Sequence, residues 1–335
     1  MKQDLYLNAA DHMPVDGSRE VSDDIQRLID GNPNRVIFFP DGLYRIAKPV
    51  LTPADPAFSV SLKLSDFAVI QADPSWDSDE AMIRLGGSHP FNTIYVNGSN
   101  YSLEGGIIDG SGVAKAVSVD SGRETAVRDL SIKHAKVGIH IKHGANSGSS
   151  DADISRVNIT GSGTHDSVGV LIEGYDNTLT NMRIANVFTG VMLRSAGNSL
   201  RNIHPLFTVS YDDYENSCGF LDMKGNNWYS FGYSDQFANG FRFGPDARGS
   251  VLDSCMCYWY SANGGHQVFI RCDGRFRSAV NNPKVGFRSG VETRAVLKVA
   301  EAGGDGFINN VCLNHGTEAD LGDGTFRDYL RGNVI

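Results

Sequence analysis

The sequence predicts an all-β solenoid, a parallel β-helix with a short helix covering its N-terminal end. Three observations carry that expectation. Glycine is abundant, 38 of 335 residues, while proline is modest at 11. From about residue 90 onward, short β-branched runs alternate with Asn, Asp, Gly and Ser clusters, the pattern of many short strands with frequent turns. One unit also recurs: a first alternating run, a short polar corner, then Gly and a second alternating run.

Units of this kind begin at Thr125, Ala152, Asn177, Asn198, Asn226 and Gly249. Their second runs include Gly138-Ile139-His140-Ile141, Gly169-Val170-Leu171-Ile172, Gly190-Val191-Met192-Leu193, Gly219-Phe220-Leu221 and Gly240-Phe241-Arg242-Phe243. The five glycines lie 31, 21, 29 and 21 residues apart, a base of 21 with insertions. A period in the low twenties with two or three strands suits one coil of a parallel β-helix. A single coil cannot bury its inward face, so stacked coils share one core. Insertions must leave at corners, because one extra residue inside a strand would turn the inward set outward. A leucine-rich repeat would need Leu at fixed places; the inward positions here mix Ile, Val, Phe, Met and Cys.

Val21–Asp30 reads as a helix, with Ser22 or Asp23 as its N-cap and acidic residues in the first turn, where the helix dipole favours them. Arg35–Phe39, Pro40-Asp41-Gly42 and Leu43–Ile46 read as strand, turn, strand. A helix over the open end of a solenoid blocks edge-to-edge polymerisation. After Arg277 the repeat weakens, and Val285–Arg288 and Asp305–Ile308 read as final coils. Thr317–Ile335 is a polar tail carrying Phe326, Tyr329 and Leu330, able to close the C-terminal end or meet a neighbouring subunit. The chain thus reads as one β-helix domain over 1–335, of about ten coils, with a cap segment at about 15–50.

Composition narrows the partners. Hydrophobic residues at 41% and charged residues at 21% suit a folded core. Thirty basic against 39 acidic residues give −9, which argues against nucleic acid. No apolar run approaches the ~20 residues that span a bilayer. The first residues hold no apolar signal-peptide segment, so the expectation is an intracellular protein or one whose signal has been removed. Five scattered cysteines make no disulfide framework, and none has zinc-ligand spacing. Cys255 and Cys257, two apart in a strand, read as core residues on one face. No metal or cofactor is expected.

The stretch VSDDIQRLID with RVIFFPDGLYRI resembles the opening segment of the pectate-lyase-like β-helix superfamily. Glu104–Gly112, EGGIIDGSG, resembles a coil of its polygalacturonase relatives. The resemblance covers about residues 15 to 310. It implies a right-handed parallel β-helix, in line with the right-handed crossover preference. It implies no single reaction, since the fold hosts hydrolases, lyases, fructotransferases, epimerases and phage tailspikes. The polygalacturonase catalytic series is only echoed, in Ile139–Gly144, and Asp109 reads as a turn residue. The base motif of calcium-type pectate lyases is absent.

A packed solenoid leaves no central pocket, so a site must lie on an outward face beside corner insertions. Leu130, Val157, Met182 and Ile203 align as one inward column. The residues that follow, Asn158, Arg183, His204 and Tyr233, then face outward. Two further on lie Lys133, Thr160, Ala185, Leu206, Asp235 and Tyr258. Beside this face falls the insertion Pro205–Asn216, with Tyr211, Asp212, Asp213, Tyr214 and Glu215. Glycoside cleavage needs two carboxylates, one to protonate the leaving oxygen and one as base or nucleophile. Asp235 is the first candidate, with Asp212, Asp213 or Glu215 as partner and His204 beside them. Arg183, Tyr233, Tyr211, Tyr258, Trp259 and Arg242 are candidate sugar contacts, because aromatic planes stack on sugar rings and arginines bind uronates. The plainer alternatives are a solvated turn at Asp212-Asp213, a corner cap at Asp235 and a space-filling His204.

The first expectation is therefore an oligo- or polysaccharide-cleaving enzyme, a glycoside hydrolase or one of the inulin fructotransferase type. A lyase with Tyr233 or His204 as base is the second. A glycan-binding tailspike or adhesin is the third. The aromatic-rich coils at Trp228–Tyr260 suggest a homotrimer.

Overall fold

The computed structural model describes residues 6–53, 55–87, 102–145, 147–208, 213–260, 267–287, 294–314 and 325–334. The chain is an all-β parallel solenoid organised in two compact units, residues 1–178 and 179–335. Most coils of unit 1 have three short strands. One coil runs Ala126–Arg128, Ser131–Ala135 and Val137–Ile141. Each strand pairs in parallel with its equivalents one coil away: Val127 with Leu103 and Ile154, Ile132 with Ile108 and Ile159, Ile139 with Val117 and Val170. All nine side chains are buried. The period-2 alternation of each strand thus becomes three apolar columns inside the coil stack.

Third strands count the turns. Among the described residues unit 1 has five, at Val50–Leu51, Ala81–Leu85, Lys115–Val119, Val137–Ile141 and Val168–Ile172. Unit 2 has five, at Thr189–Leu193, Cys218–Asp222, Asn239–Phe243, Gln267–Cys272 and Arg294–Val299. The glycine-led runs of the sequence are these strands. In unit 2 the matching inward column is Val191, Phe220, Phe241, Ile270 and Leu297, with the Phe220 and Phe241 rings stacked at 4.6 Å. Cys255 and Cys257 are fully buried, and all five thiols are free.

The bend between first and second strands needs one residue in the left-handed region. Asp129, Arg156, Asn181, Asn202, Phe231, Ser254, Asn282 and Asn310 supply it, with φ between 47° and 54–55°. Asn and Asp enter that region most readily, which explains the polar corners of the repeat. Asn202 Nδ2 also donates to Asn181 Oδ1 at 2.8 Å, tying one corner to the next.

The N-terminal helix spans Ser22–Asp30 and buries Ile25, Leu28 and Ile29. Its N-cap is Val21, without a side-chain bond, rather than Ser22 or Asp23. Ser22 Oγ is used elsewhere, accepting from the Ala47 N–H at 2.9 Å, and the Glu20 carboxylate takes the Ser22 N–H. Gln26 explains how the helix caps. Its side chain accepts from Leu51 N at 2.9 Å and donates to Leu51 O at 3.0 Å, standing in for a missing strand at the edge Val50–Leu51. At the other end Leu330–Val334 pairs onto Phe307–Asn314, and Phe326 and Tyr329 are buried, Tyr329 edge-on to Phe276. The described part of the tail therefore closes unit 2. No helix among the described residues is long and apolar enough to cross a membrane.

Candidate functional site

The second strands of unit 2 present two outward columns. The paired Asn181 and Asn202 set Arg183 and His204, two residues on, at equivalent places. Leu206 pairs with Asp235, Asp235 with Tyr258, and Tyr233 with Met256. His204 and Tyr233 consequently stack face to face, with centroids 4.2 Å apart and planes 13° from parallel. Tyr233 donates its hydroxyl to Asp235 Oδ2 at 3.1 Å, and His204 Nε2 lies 3.7 Å from the same oxygen.

The remaining polar atoms of this cluster are the notable ones. Asp235 Oδ1 and His204 Nε2 are both shielded from solvent and have no hydrogen-bond partner among the described residues. Buried polar atoms are nearly always paired, so these two neighbouring atoms leave room for a further hydrogen-bond partner. Burial first, then the Asp235 charge and its hydrogen bond, push the Tyr233 hydroxyl far above the usual tyrosine range. Tyr233 is therefore a fixed proton donor to Asp235. Tyr258 is half-buried in the Asp235 column, while Arg183 is exposed and donates to the Met182 carbonyl at 3.2 Å.

Other expected contacts fall elsewhere. Trp259 is fully buried, with Nε1 donating to Phe237 O at 2.7 Å. It is a core residue and offers no face to a sugar. Arg242 lies on a third strand, aligned with Leu221 and Arg271, and bonds Asp273 at 2.8 Å. It belongs to a different face from His204 and Asp235. Glu215 lines a cavity of about 340 Å³ on that third-strand side, with Asn239, Arg271, Asp273 and Lys298. Asp213 accepts from Asn216 Nδ2 at 2.6 Å at the head of a short 3-10 turn. Tyr211 and Asp212 lie outside the described residues. The hydrogen bond and charge contact described for Asp235 come from Tyr233 and His204, not from the insertion.

Two further carboxylate groups were not anticipated. Asp222 points inward, 1% exposed, and takes bonds from Gly225 N, Tyr229 Oη and Ser250 Oγ at 2.7–2.9 Å, so it locks a corner. In unit 1 the outward side of the third strands carries Arg84, Ser118 and His140 in one column. Arg84 holds Asp120 Oδ2 through Nε at 2.9 Å and through Nη2, and Ser118 Oγ donates to Asp120 Oδ1. Lys142 reaches Glu80 at 2.5 Å and lies 3.6 Å from Asp120. Burial pushes the Glu80 carboxyl up, but the Lys142 bond and nearby cations outweigh it and hold the group below the usual range. His140 meets Glu173 at 2.8 Å. The signal for this network was the outward alternation around Gly138, which put His140 and Lys142 on one side.

No protein family and no curated protein matches the chain. Solved structures do. The tailspike of E. coli bacteriophage HK620, bound to a hexasaccharide, is similar at TM-score 0.68 and 10% identity over 98% of this chain and 63% of that one. The Agl-KA catalytic domain is similar at 0.63 and 10%, over 100% and 68%. PfbA, a surface adhesin of Streptococcus pneumoniae, is similar at 0.56 and 13%, over 92% and 86%. The chain spans less than two thirds of the tailspike's length. These likenesses establish a β-solenoid fold shared with phage tailspike, enzyme and adhesin proteins.

Proposed function

We propose that this chain binds a glycan along the outward second-strand face of unit 2 and cleaves a glycosidic bond there. Asp235 is the acid–base group, and the reading places the chain with the pectate-lyase-like β-helix enzymes. The observation that carries it is the unpartnered Asp235 Oδ1 beside the unpartnered His204 Nε2. A shielded carboxylate oxygen with nothing to accept from suits a substrate hydroxyl or a proton in transit to the leaving oxygen. Tyr233 holds the other oxygen, and Tyr258 offers a ring in the next coil, ~4.8 Å on. The Tyr233 hydroxyl is already engaged with Asp235, so in a lyase reading His204 rather than Tyr233 would be the base.

The test is a screen of plant, bacterial and fructan glycans with products weighed by mass spectrometry, run on the wild type and Asp235→Asn. The expected result is cleavage lowered about 10²-fold or more with the melting temperature unchanged. Near-full turnover in Asp235→Asn overturns the assignment. An unsaturated, ultraviolet-absorbing product points to a lyase instead. Binding without cleavage points to an adhesin. The same substitution in Asp212, Asp213 and Glu215 in turn identifies the second carboxylate. Exposed Trp228, Phe231 and Tyr260 support self-association of unit 2 faces, and a sedimentation mass of one chain at micromolar concentration removes that idea.

A further inference from the structure

A second site lies in unit 2 at the bends that carry each third strand into the next coil. Asn226 N donates to Arg248 O at 2.7 Å and Gly249 N to Arg277 O at 2.8 Å, so these residues occupy one corner of successive coils. Together with Arg275 and the turn Gly303–Asp305 they enclose about 690 Å³. Glycine shapes the pocket. Gly249 and Gly303 have φ of +72° and +77°, and a Cβ on Gly304 would sit 1.8 Å from the Phe276 carbonyl oxygen. The walls are then backbone and guanidinium groups.

The charge is unusual for a chain of net −9. Three arginines face one carboxylate in the lining, Asp305, and Arg275 is engaged by Glu301 at 3.4 Å. Among the described residues Arg248 and Arg277 have no ion pair or side-chain hydrogen bond. The third-strand cavity is the useful contrast. There Asp273 engages both Arg242 at 2.8 Å and Arg271 at 3.4 Å, so that basic pair is already spent.

We propose that this corner pocket is a binding site for an oxyanionic sugar, one carrying a carboxylate or a sulfate. Arginine forks match such groups bidentately, and two forks on adjacent coils, ~4.8 Å apart, can share one anion. The volume falls within the range of small-molecule sites, so it admits the sugar ring and not the anion alone. The sugar as carrier rests on the glycan reading above; the anion site does not.

The test titrates glucuronate, glucose 6-sulfate, glucose and inorganic sulfate into the wild type, Arg248→Gln/Arg277→Gln and Asp235→Asn by calorimetry. The expected result is binding of both acidic sugars, none of glucose, and a loss of about tenfold or more in the double arginine variant at unchanged melting temperature. Asp235→Asn keeps this binding, and the arginine variant keeps glycan cleavage. Acidic sugars that bind the arginine variant as well as the wild type, or bind neither, overturn the proposal. Inorganic sulfate binding without either sugar reduces the site to an anion site and overturns the sugar. Arginine-dependent sugar binding in a chain that cleaves no glycan leaves this site standing and sinks Asp235 catalysis alone. Arg277→Lys keeps the charge but not the fork, and intermediate affinity supports bidentate recognition.

Discussion

On the third-strand face of unit 1, Asp120 is 1% exposed and both its oxygens are claimed, one by Ser118 and one by Arg84. On the second-strand face of unit 2, Asp235 has a side chain 13% exposed and one oxygen claimed by nothing. Removing a carboxylate from water costs several kcal/mol, about 20 in the idealised limit, and only close pairing repays it. Unit 1 surrounds Asp120 with Arg84 and Lys142. Unit 2 gives Asp235 a hydrogen bond from Tyr233 and a looser contact with His204, both on one oxygen. A closely paired charge holds a face together; a loosely paired one keeps capacity for a ligand or a proton.

Three substitutions, two in unit 2 and one in unit 1, break or sharpen that contrast. The largest effect is expected at Asp235→Asn, a loss of about 10²–10⁴ in turnover with little change in unfolding. If stability falls instead and turnover holds, the two faces are alike and Asp235 is a corner cap. Asp120→Asn should do the reverse. It takes from Arg84 its short charged bond and leaves the 3.5 Å contact with Glu80, at a cost of about 1–3 kcal/mol read by urea unfolding, while cleavage per folded molecule stays level. A loss of turnover at unchanged stability would move the chemistry to unit 1. The third effect is smaller and depends on pH. Folding holds the Tyr233 proton to well above the ordinary value of about 10, so unfolded chains ionise first as pH rises. The stability linked to Tyr233 is full below pH 10 and declines above it. Tyr233→Phe should therefore flatten the fall of melting temperature above pH 10, and an unchanged slope would show that neither burial nor Asp235 holds the Tyr233 proton. Its ring still stacks on His204, so cleavage should drop less than in Asp235→Asn.

Much of this was legible before any coordinates. The glycine spacing located five third strands, because at Gly138, Gly190, Gly219 and Gly240 a Cβ would strike a neighbouring carbonyl or side chain. The alternation placed Leu130, Val157, Met182 and Ile203 inside, where all are buried. It also set His204, Tyr233, Asp235 and Tyr258 outward. Trp259 was misread against that same alternation, since a neighbour of outward Tyr258 must face in. Arg242 was misplaced for a different reason: outward on a third strand is not outward on a second strand, and corner lengths hide the angle between them. The Asp120 network stayed hidden because its members come from separate coils. Arg84 and Asp120 are 36 residues apart and Glu80 and Lys142 are 62, distances fixed by insertions rather than by the period.

The glycine near the start of five of the third strands has a consequence for how such a protein can change in length. A Cβ on Gly138 would lie 2.5 Å from the Gly169 carbonyl oxygen, and one on Gly190 2.4 Å from that of Gly219. Gly138 and Gly190 are thus fitted to the glycine of the coil that follows, while Gly219 and Gly240 are fitted to Ser234 and Cys257 of the second strands. A coil gained or lost with its own glycine keeps such a fit, whereas a larger residue there sets a side chain against a carbonyl or a neighbouring side chain. The whole turn is then the natural unit of change in this fold. Segments of about 21 residues can be gained or lost in step with the structure, and longer coils carry their extra residues at the corners.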